Sequence, residues 1–295
     1  MKFGNVTNPE AIDFTLPPDH PDNAASFKKT KTGKFEVYVG CAKWNKSDLK
    51  NFYPKGTKDE LAYYTSQFNS IELNATFYRL FPVEQFIKWK ETTPKGFKFF
   101  PKVGQDISHF KRLKNAEKEV DAFVTHVAHL EDKLGMPFLQ MNDNFKTKDI
   151  EAVRTFLDQW PAKFPLAVEF RDTLWYNDPA IANEIYAILE KKKMANVLVD
   201  TAGRRDLLHM RITAQTAFIR YVGANHETDY KRLEDWVDRI EEWKEAGLKK
   251  LYFFVHQNIE EASPLLSAYF IALLNKRIGT TLTIPQTQTP PKGLF

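Results

Sequence analysis

Between Pro137 and Asp200 the chain reads Pro137-Phe138-Leu139-Gln140, then Thr147 to Trp160, then Leu166-Ala167-Val168-Glu169, then Asp178 to Lys193, then Asn196-Val197-Leu198-Val199-Asp200. Three short apolar runs alternate with two longer segments that carry helical periodicity. Asp178-Pro179 marks the second helix start, with Asp as the cap and Pro at the first helical position. Strands separated by helices need crossover connections, so they lie parallel.

The alternation continues on both sides. Upstream, Phe35-Glu36-Val37-Tyr38-Val39-Gly40, Ser70-Ile71-Glu72-Leu73 and Phe97-Lys98-Phe99-Phe100 read as strands. Asp59 to Phe68, Gln85 to Glu91 and Ala116 to Leu134 read as helices, the last with Val120, Phe123, Val124, Val127 and Leu130 on one face. Downstream, Ala217-Phe218-Ile219-Arg220 and Leu251-Tyr252-Phe253-Phe254-Val255 are strands, and Tyr230 to Glu245 and Pro264 to Arg277 are helices. Eight such units predict a single-domain (β/α)₈ TIM barrel, with an open doubly wound sheet as the structural alternative. Thr201 to Thr216 is the weakest unit, too short and polar for a full helix. The predicted domain spans 34–279. Residues 1–33, with Pro17-Pro18 and Lys28-Lys29-Thr30-Lys31, read as an irregular extension over the barrel's bottom. Residues 280–295, with Pro285, Pro290 and Pro291, read as a tail.

Composition excludes several classes. With 43% hydrophobic and 27% charged residues among 295, the chain is a packed globular protein. A net charge of +4 is too small to argue for nucleic acid by itself. The single cysteine, Cys41, precludes an intramolecular disulfide and fits a buried, inert thiol in a reducing compartment. No apolar run spans a membrane and no signal core follows Met1, so a cytoplasmic protein is expected. No G-x-G-x-x-G phosphate loop and no internal repeat is present.

In a barrel, polar residues at the strand carboxyl ends face the working site. Following each strand to its end collects Lys43 and Trp44; Glu72, Asn74, Thr76 and Tyr78; Lys102 and His109; Gln140 and Asn142; Glu169, Arg171 and Trp175; Asp200; Arg220; and His256 and Asn258. Glu72 with Asn74, Glu169 with Arg171 and His256 with Asn258 stand two apart, so each pair points to one side of its strand. Buried charges are costly unless they satisfy one another. The plain structural explanation is a network of Glu169 with Arg171 or Arg220.

The runs that carry a resemblance are Tyr38-Val39-Gly40-Cys41-Ala42-Lys43-Trp44 with Phe52-Tyr53-Pro54, and Ile71-Glu72-Leu73-Asn74-Ala75-Thr76-Phe77-Tyr78-Arg79. Trp89, Thr93-Pro94, Phe97 to Lys102, Ile107-Ser108-His109, Glu169-Phe170-Arg171 and Trp175 continue them in order. Together they resemble the DUF72 (YecE-like) family of unknown function, over about Phe35 to Arg277. The resemblance implies a TIM barrel and no reaction. Two departures stand out. Cys41 and Ala42 occupy places where the family usually carries Ser and Gly, and Val255-His256-Gln257-Asn258 stands where it usually carries two asparagines.

Three functions compete. The favoured one is an enzyme for a small anionic or sugar-like substrate. Glu72 and Glu169 are its candidate general base and acid. Lys102, His109, Arg171 and Arg220 supply cations, Trp44, Tyr78 and Trp175 supply walls, and Asn74, Thr76, Asp200 and Asn258 supply polar contacts. A divalent-metal enzyme using Glu72, Glu169, Asp200 and His256 is the second, weakened by the cations already beside those carboxylates. No cofactor or metal is expected. His126 and His129, three apart on a helix, read as a solvated face. The third is a nucleotide- or nucleic-acid-binding module using the lysine-rich extension and aromatic stacking, which the small net charge disfavours.

Overall fold

In a computed structural model, residues 4–27 and 34–287 are described, and eight strands follow the expected order. They are β1 Glu36–Cys41, β2 Ser70–Leu73, β3 Lys98–Pro101, β4 Phe138–Gln140, β5 Ala167–Glu169, β6 Ala195–Thr201, β7 Thr216–Gly223 and β8 Lys250–Gln257. Six of them form one parallel sheet in the order β1-β8-β7-β6-β5-β4, and β2 pairs in parallel with β3. The fold is thus mixed α/β around a parallel sheet. A parallel bridge from Lys102 to Phe138 leads β3 toward β4. At the other gap the Asn69 amide accepts from Val39 N (2.9 Å) and donates to Val37 O (2.8 Å), standing in for a ladder rung beside β1. Gly40 belongs at this seam, because any Cβ there would collide with the Ser70 carbonyl.

Alternation along the strands sorts side chains into two cores. Phe138, Ala167, Val197, Val199, Phe218, Tyr252 and Phe254 share one cluster with Phe100, and half-buried Tyr38 packs against it. Leu139, Val168, Leu198, Ile219 and Phe253 face the other way, into the larger core shared with the helices. Among the described residues no helix is long and apolar enough to cross a membrane.

One connection differs from the sequence reading. The expected single helix from 116 to 134 is an α-helix over Glu117–Val127 followed by a 3₁₀ segment, Ala128–Lys133, broken at Glu131 with φ 53°. The chain has to leave the helix there, because Gly135 N already bonds Phe99 O (2.7 Å) and the next residues enter β4. Between β6 and β7 only a 3₁₀ segment, Ala202–Leu207, is found, as the polar sequence of that unit anticipates.

Residues 4–27 form a largely irregular arm. Gly203 N bonds Gly4 O (2.9 Å) beside the carboxyl end of β6. A Cβ on Gly203 would approach Gly4 to 2.9 Å, so that contact requires glycine. The Phe14 ring lies 4.4 Å from the Arg232 guanidinium, and Asp19 accepts from Arg239 Nη1 and Trp243 Nε1, both at 2.7 Å. Asn23 then bonds Met210 O (2.8 Å) and Ile212 N (2.9 Å), ahead of β7. The arm therefore runs from the carboxyl ends of the strands to their amino ends. The lysine-rich run 28–31 and the prolines at 290 and 291 lie outside the described residues.

Candidate functional site

One residue pair beyond the inner core, the alternation that buries Phe138, Ala167, Phe218 and Phe254 brings up Gln140, Glu169, Arg220 and His256. The apolar layer thus becomes a charged layer within one step of each strand. Arg220 is its centre. Its Nε and Nη2 hold the two oxygens of Glu72 at 2.8 Å each, and Nη1 holds Glu169 Oε2 at 2.7 Å. Arg171 Nε takes the other Glu169 oxygen at 2.8 Å, and the Gln140 amide donates to both Glu169 oxygens at 2.8 and 2.9 Å. Glu72 also accepts from Asn74 Nδ2 (2.7 Å) and faces His256 Nε2 (3.1 Å).

Both glutamates are fully buried. Burial alone pushes their pKa up, but the guanidinium groups overcome it. Arg220 and Arg171 hold Glu169 at about 2, and Arg220 with His256 holds Glu72 well below the ordinary carboxylate range. These groups stay carboxylates at neutral pH. Burial also pulls His256 down, but Glu72 and Glu260, 3.7 Å from its Nδ1, outweigh it and raise its pKa to about 9. Lys102 is brought to about 7, first by burial and then by Arg220. Its Nζ donates to Gln140 Oε1 at 2.7 Å and stands 4.0 Å above the Phe77 ring. His109 meets the same ring edge-on at 4.8 Å, accompanied by Ser108 Oγ at 2.9 Å from Nδ1. Burial and then Lys102 lower its pKa to about 4, so its imidazole is neutral.

The raised pKa of His256 has a definite sign. Stability from the imidazolium is fully present below the unfolded value of about 6.5 and is lost as pH rises through about 9. Wild-type unfolding free energy should therefore fall across that interval, by an amount on the order of 2 kcal/mol, the worth of a charged hydrogen bond. His256→Gln should flatten the slope. A parallel slope in the variant, measured by urea unfolding at several pH values, would refute the assignment.

The remaining candidates divide. Asn74 leaves the strand, since β2 ends at Leu73 and Asn74 turns into the short helix that starts at Ala75, yet its amide still reaches Glu72. Thr76 Oγ1 bridges the Leu73 and Lys102 carbonyls at 2.9 and 2.8 Å, fixing the Lys102 backbone. Asp200 is turned to the opposite face, as the inward Val197 and Val199 require; it accepts from Arg232 (2.7 Å), Trp236 Nε1 (2.6 Å) and Arg205. Trp175 is buried, stacked on Phe170 at 4.3 Å, with Nε1 bonded to Phe145 O. Trp44 packs edge-on against Trp89 (5.8 Å). Tyr78 is 71% exposed on a separate groove with Arg79, Gln105 and Phe110. Asn258 is exposed past the end of β8 and bonds Asn5 at 3.3 Å, so it does not share the side of His256. Cys41 is buried and its pKa is raised by that burial, first of all, so the thiol stays protonated.

Gln140 and His256, collected at their strand ends but given no part in the favoured reading, are integral to the cluster. The two-residue step from Phe138 and Phe254 was the available signal for both. Among the described residues, no three His, Cys, Asp or Glu side chains are grouped to hold a metal ion.

A parallel α/β sheet with a charged cluster over the carboxyl ends of its strands defines the class of protein. The profile of the family described as "Protein of unknown function DUF72" matches residues 38–291, and the chain belongs to that family. It is 26% identical over 275 residues to the UPF0759 protein YecE of Escherichia coli (strain K12), covering 85% of this chain and 98% of that one. It is 30% identical over 154 residues to the UPF0759 protein YunF of Bacillus subtilis (strain 168), covering 48% of this chain and 53% of that one. Its fold is similar to the crystal structure of a DUF72 family protein from Thermotoga maritima MSB8, with a TM-score of 0.67 at 24% identity over 81% of this chain and 99% of that one. A DUF72 family protein from Enterococcus faecalis V583 gives a TM-score of 0.67 at 17% identity, covering 85% of this chain and all of the other.

Proposed function

We propose that the eight strands close into a barrel whose mouth binds a small anionic, carboxylate- or phosphate-bearing or sugar-like substrate. Closure is supported by the Asn69 and Lys102–Phe138 links at the two gaps, and by one inner cluster drawing on β3 through β8. The observation that carries the binding reading is the position of Arg171. Its Nε holds Glu169 in the buried cluster, while the residue lines an outer cleft with Asp143, Asn144, Lys146, Asp172, Thr173 and Arg204. A guanidinium that joins a buried charge network to an open, cation-bearing cleft suits bidentate recognition of an anion. In this reading Glu72 and Glu169, held ionised, accept protons or hold cations in place. Proton donation falls to His256.

Arg171→Met tests it. Glu169 keeps Arg220 and Gln140 in the variant, so the stability loss should stay within about 1.5 kcal/mol, well below the ~3–5 kcal/mol of a buried charge left alone. Binding of phosphate, sulfate or a phosphosugar, read as a rise in melting temperature, should weaken by about 1.5–3 kcal/mol. A wild type that no anion stabilises, with a variant that melts far lower, would reduce Arg171 to a structural ion-pair partner.

A further inference from the structure

Four cationic groups surround Glu72 and Glu169, and they are not equivalent. Arg220, Arg171 and His256 each face a carboxylate oxygen at 2.7–3.1 Å. Lys102 does not: its Nζ is bonded to the neutral Gln140 amide oxygen, and among the described residues no carboxylate lies within 4.0 Å of it. Phe77 closes the space on one side of the amine. The groups facing it are Arg220 from β7, Glu169 from β5, Arg171 two residues past the end of β5, Glu72 from β2 and His109 from the helical turn after β3. The cluster thus commits its carboxylate oxygens to the guanidinium and imidazolium groups, and among the described residues the amine feels Glu169 and Glu72 only at longer range, without a direct ion pair.

Resting on the anion-site reading above, we propose that Lys102 is a nucleophile that forms an imine with a compact carbonyl compound bearing a carboxylate beside the carbonyl, a 2-oxo acid. A buried amine crowded by other cations loses its proton easily, which is how lysine nucleophiles are activated. Lys102 is so placed, with a pKa of about 7. In the step, the neutral amine's lone pair forms a bond to the carbonyl carbon while the π pair moves to oxygen. One proton from the nitrogen and one from an acid, a role that falls to the protonated His256 of the same cluster, pass to that oxygen. The C–O bond then breaks and water leaves. Overall, an ammonium and a carbonyl become a protonated imine and water, with no change of oxidation state. Arg171 and His256 each keep 12% of the side chain exposed, so a carboxylate can meet a cation only if the ligand is small.

The test is reductive trapping on the full chain. Wild-type protein is incubated with glyoxylate and sodium cyanoborohydride from pH 5.5 to 10, digested, and each modified lysine quantified by mass spectrometry. At pH 7 an ordinary lysine of pKa about 10.4 is neutral in roughly one part in 2,500. Lys102 should therefore be labelled at least about tenfold above any exposed lysine, with a midpoint near pH 7. The α-amino group, of ordinary pKa about 7.7–8.0, is read in its own peptide. Acetaldehyde, which lacks the carboxylate, should label Lys102 several-fold less, and Arg171→Met should lower glyoxylate labelling to the acetaldehyde level. Lys102→Arg keeps the charge and should abolish the site-specific adduct. If glyoxylate raises the melting temperature yet Lys102 stays unlabelled, the imine is refuted while the anion site stands. Equal labelling by the two aldehydes would refute the 2-oxo acid assignment. If neither glyoxylate nor any anion stabilises the protein, the anion site itself falls, and this proposal with it.

Discussion

Arg220→Met is expected to lower the melting temperature by roughly 10 °C or more at neutral pH. The guanidinium makes three charge-assisted bonds to two carboxylates that are 0% exposed. Removing it leaves Glu72 with His256 and Asn74, and Glu169 with Arg171 and Gln140, so two buried charges lose their shared partner. Breaking one buried ion pair costs about 3–5 kcal/mol, and each kcal/mol shifts the melting point of a large domain by about 2–4 °C. The deficit should depend on pH with a known sign. In the wild type both glutamate pKa values are depressed, so their stabilisation is present above about 4.5 and is lost as pH falls through the folded values, about 2 for Glu169. In the variant the pKa values rise, the carboxyl groups protonate earlier, and the gap to wild type should narrow between pH 7 and pH 4. A constant gap would mean that the loss comes from packing over Phe138 instead of charge.

Asp200→Ala should destabilise by a comparable ~3–5 kcal/mol, through a different network. Asp200 accepts from Arg232, which is 1% exposed, from the Trp236 indole and from Arg205. Asp229 would remain beside Arg232 at 2.9 Å, so the guanidinium keeps one partner and the loss should fall toward the lower figure. Because Asp200 faces away from the inner row, its loss should leave anion-dependent stabilisation intact when both proteins are compared well below their melting points. Denaturant unfolding with and without phosphate measures both. A variant as stable as wild type but unable to respond to anions would place Asp200 at the mouth after all.

The order of elements was legible because apolar runs alternate so regularly with helix-period segments, most plainly from Pro137 to Asp200. The Glu169–Arg171 contact was legible from two-residue spacing alone. The same spacing did not bring Asn258 beside His256: Asn258 lies past the end of β8, exposed and bonded to Asn5. It also shows where candidates were over-collected. Asp200 is one residue out of phase with Val197 and Val199, and that parity was on view in the sequence. Trp175 was beyond such reasoning, because the turn that stacks it on Phe170 is not periodic. Nor does spacing reveal that Arg220 faces Glu72, since 148 residues separate them.

The arm of residues 4–27 changes what counts as the autonomous folding unit. The family match begins at residue 38, yet Phe14 and Asp19 partner Arg232, Arg239 and Trp243, and Asn23 satisfies the backbone before β7. Excision at the family boundary would bare aromatic and cationic surface that the arm now clothes, along the flank bearing the Asp200 network. A fragment that keeps the arm should therefore be more stable than one cut at the start of the family match, and truncations designed from that match alone would report the loss of the arm as if it were a defect of the site.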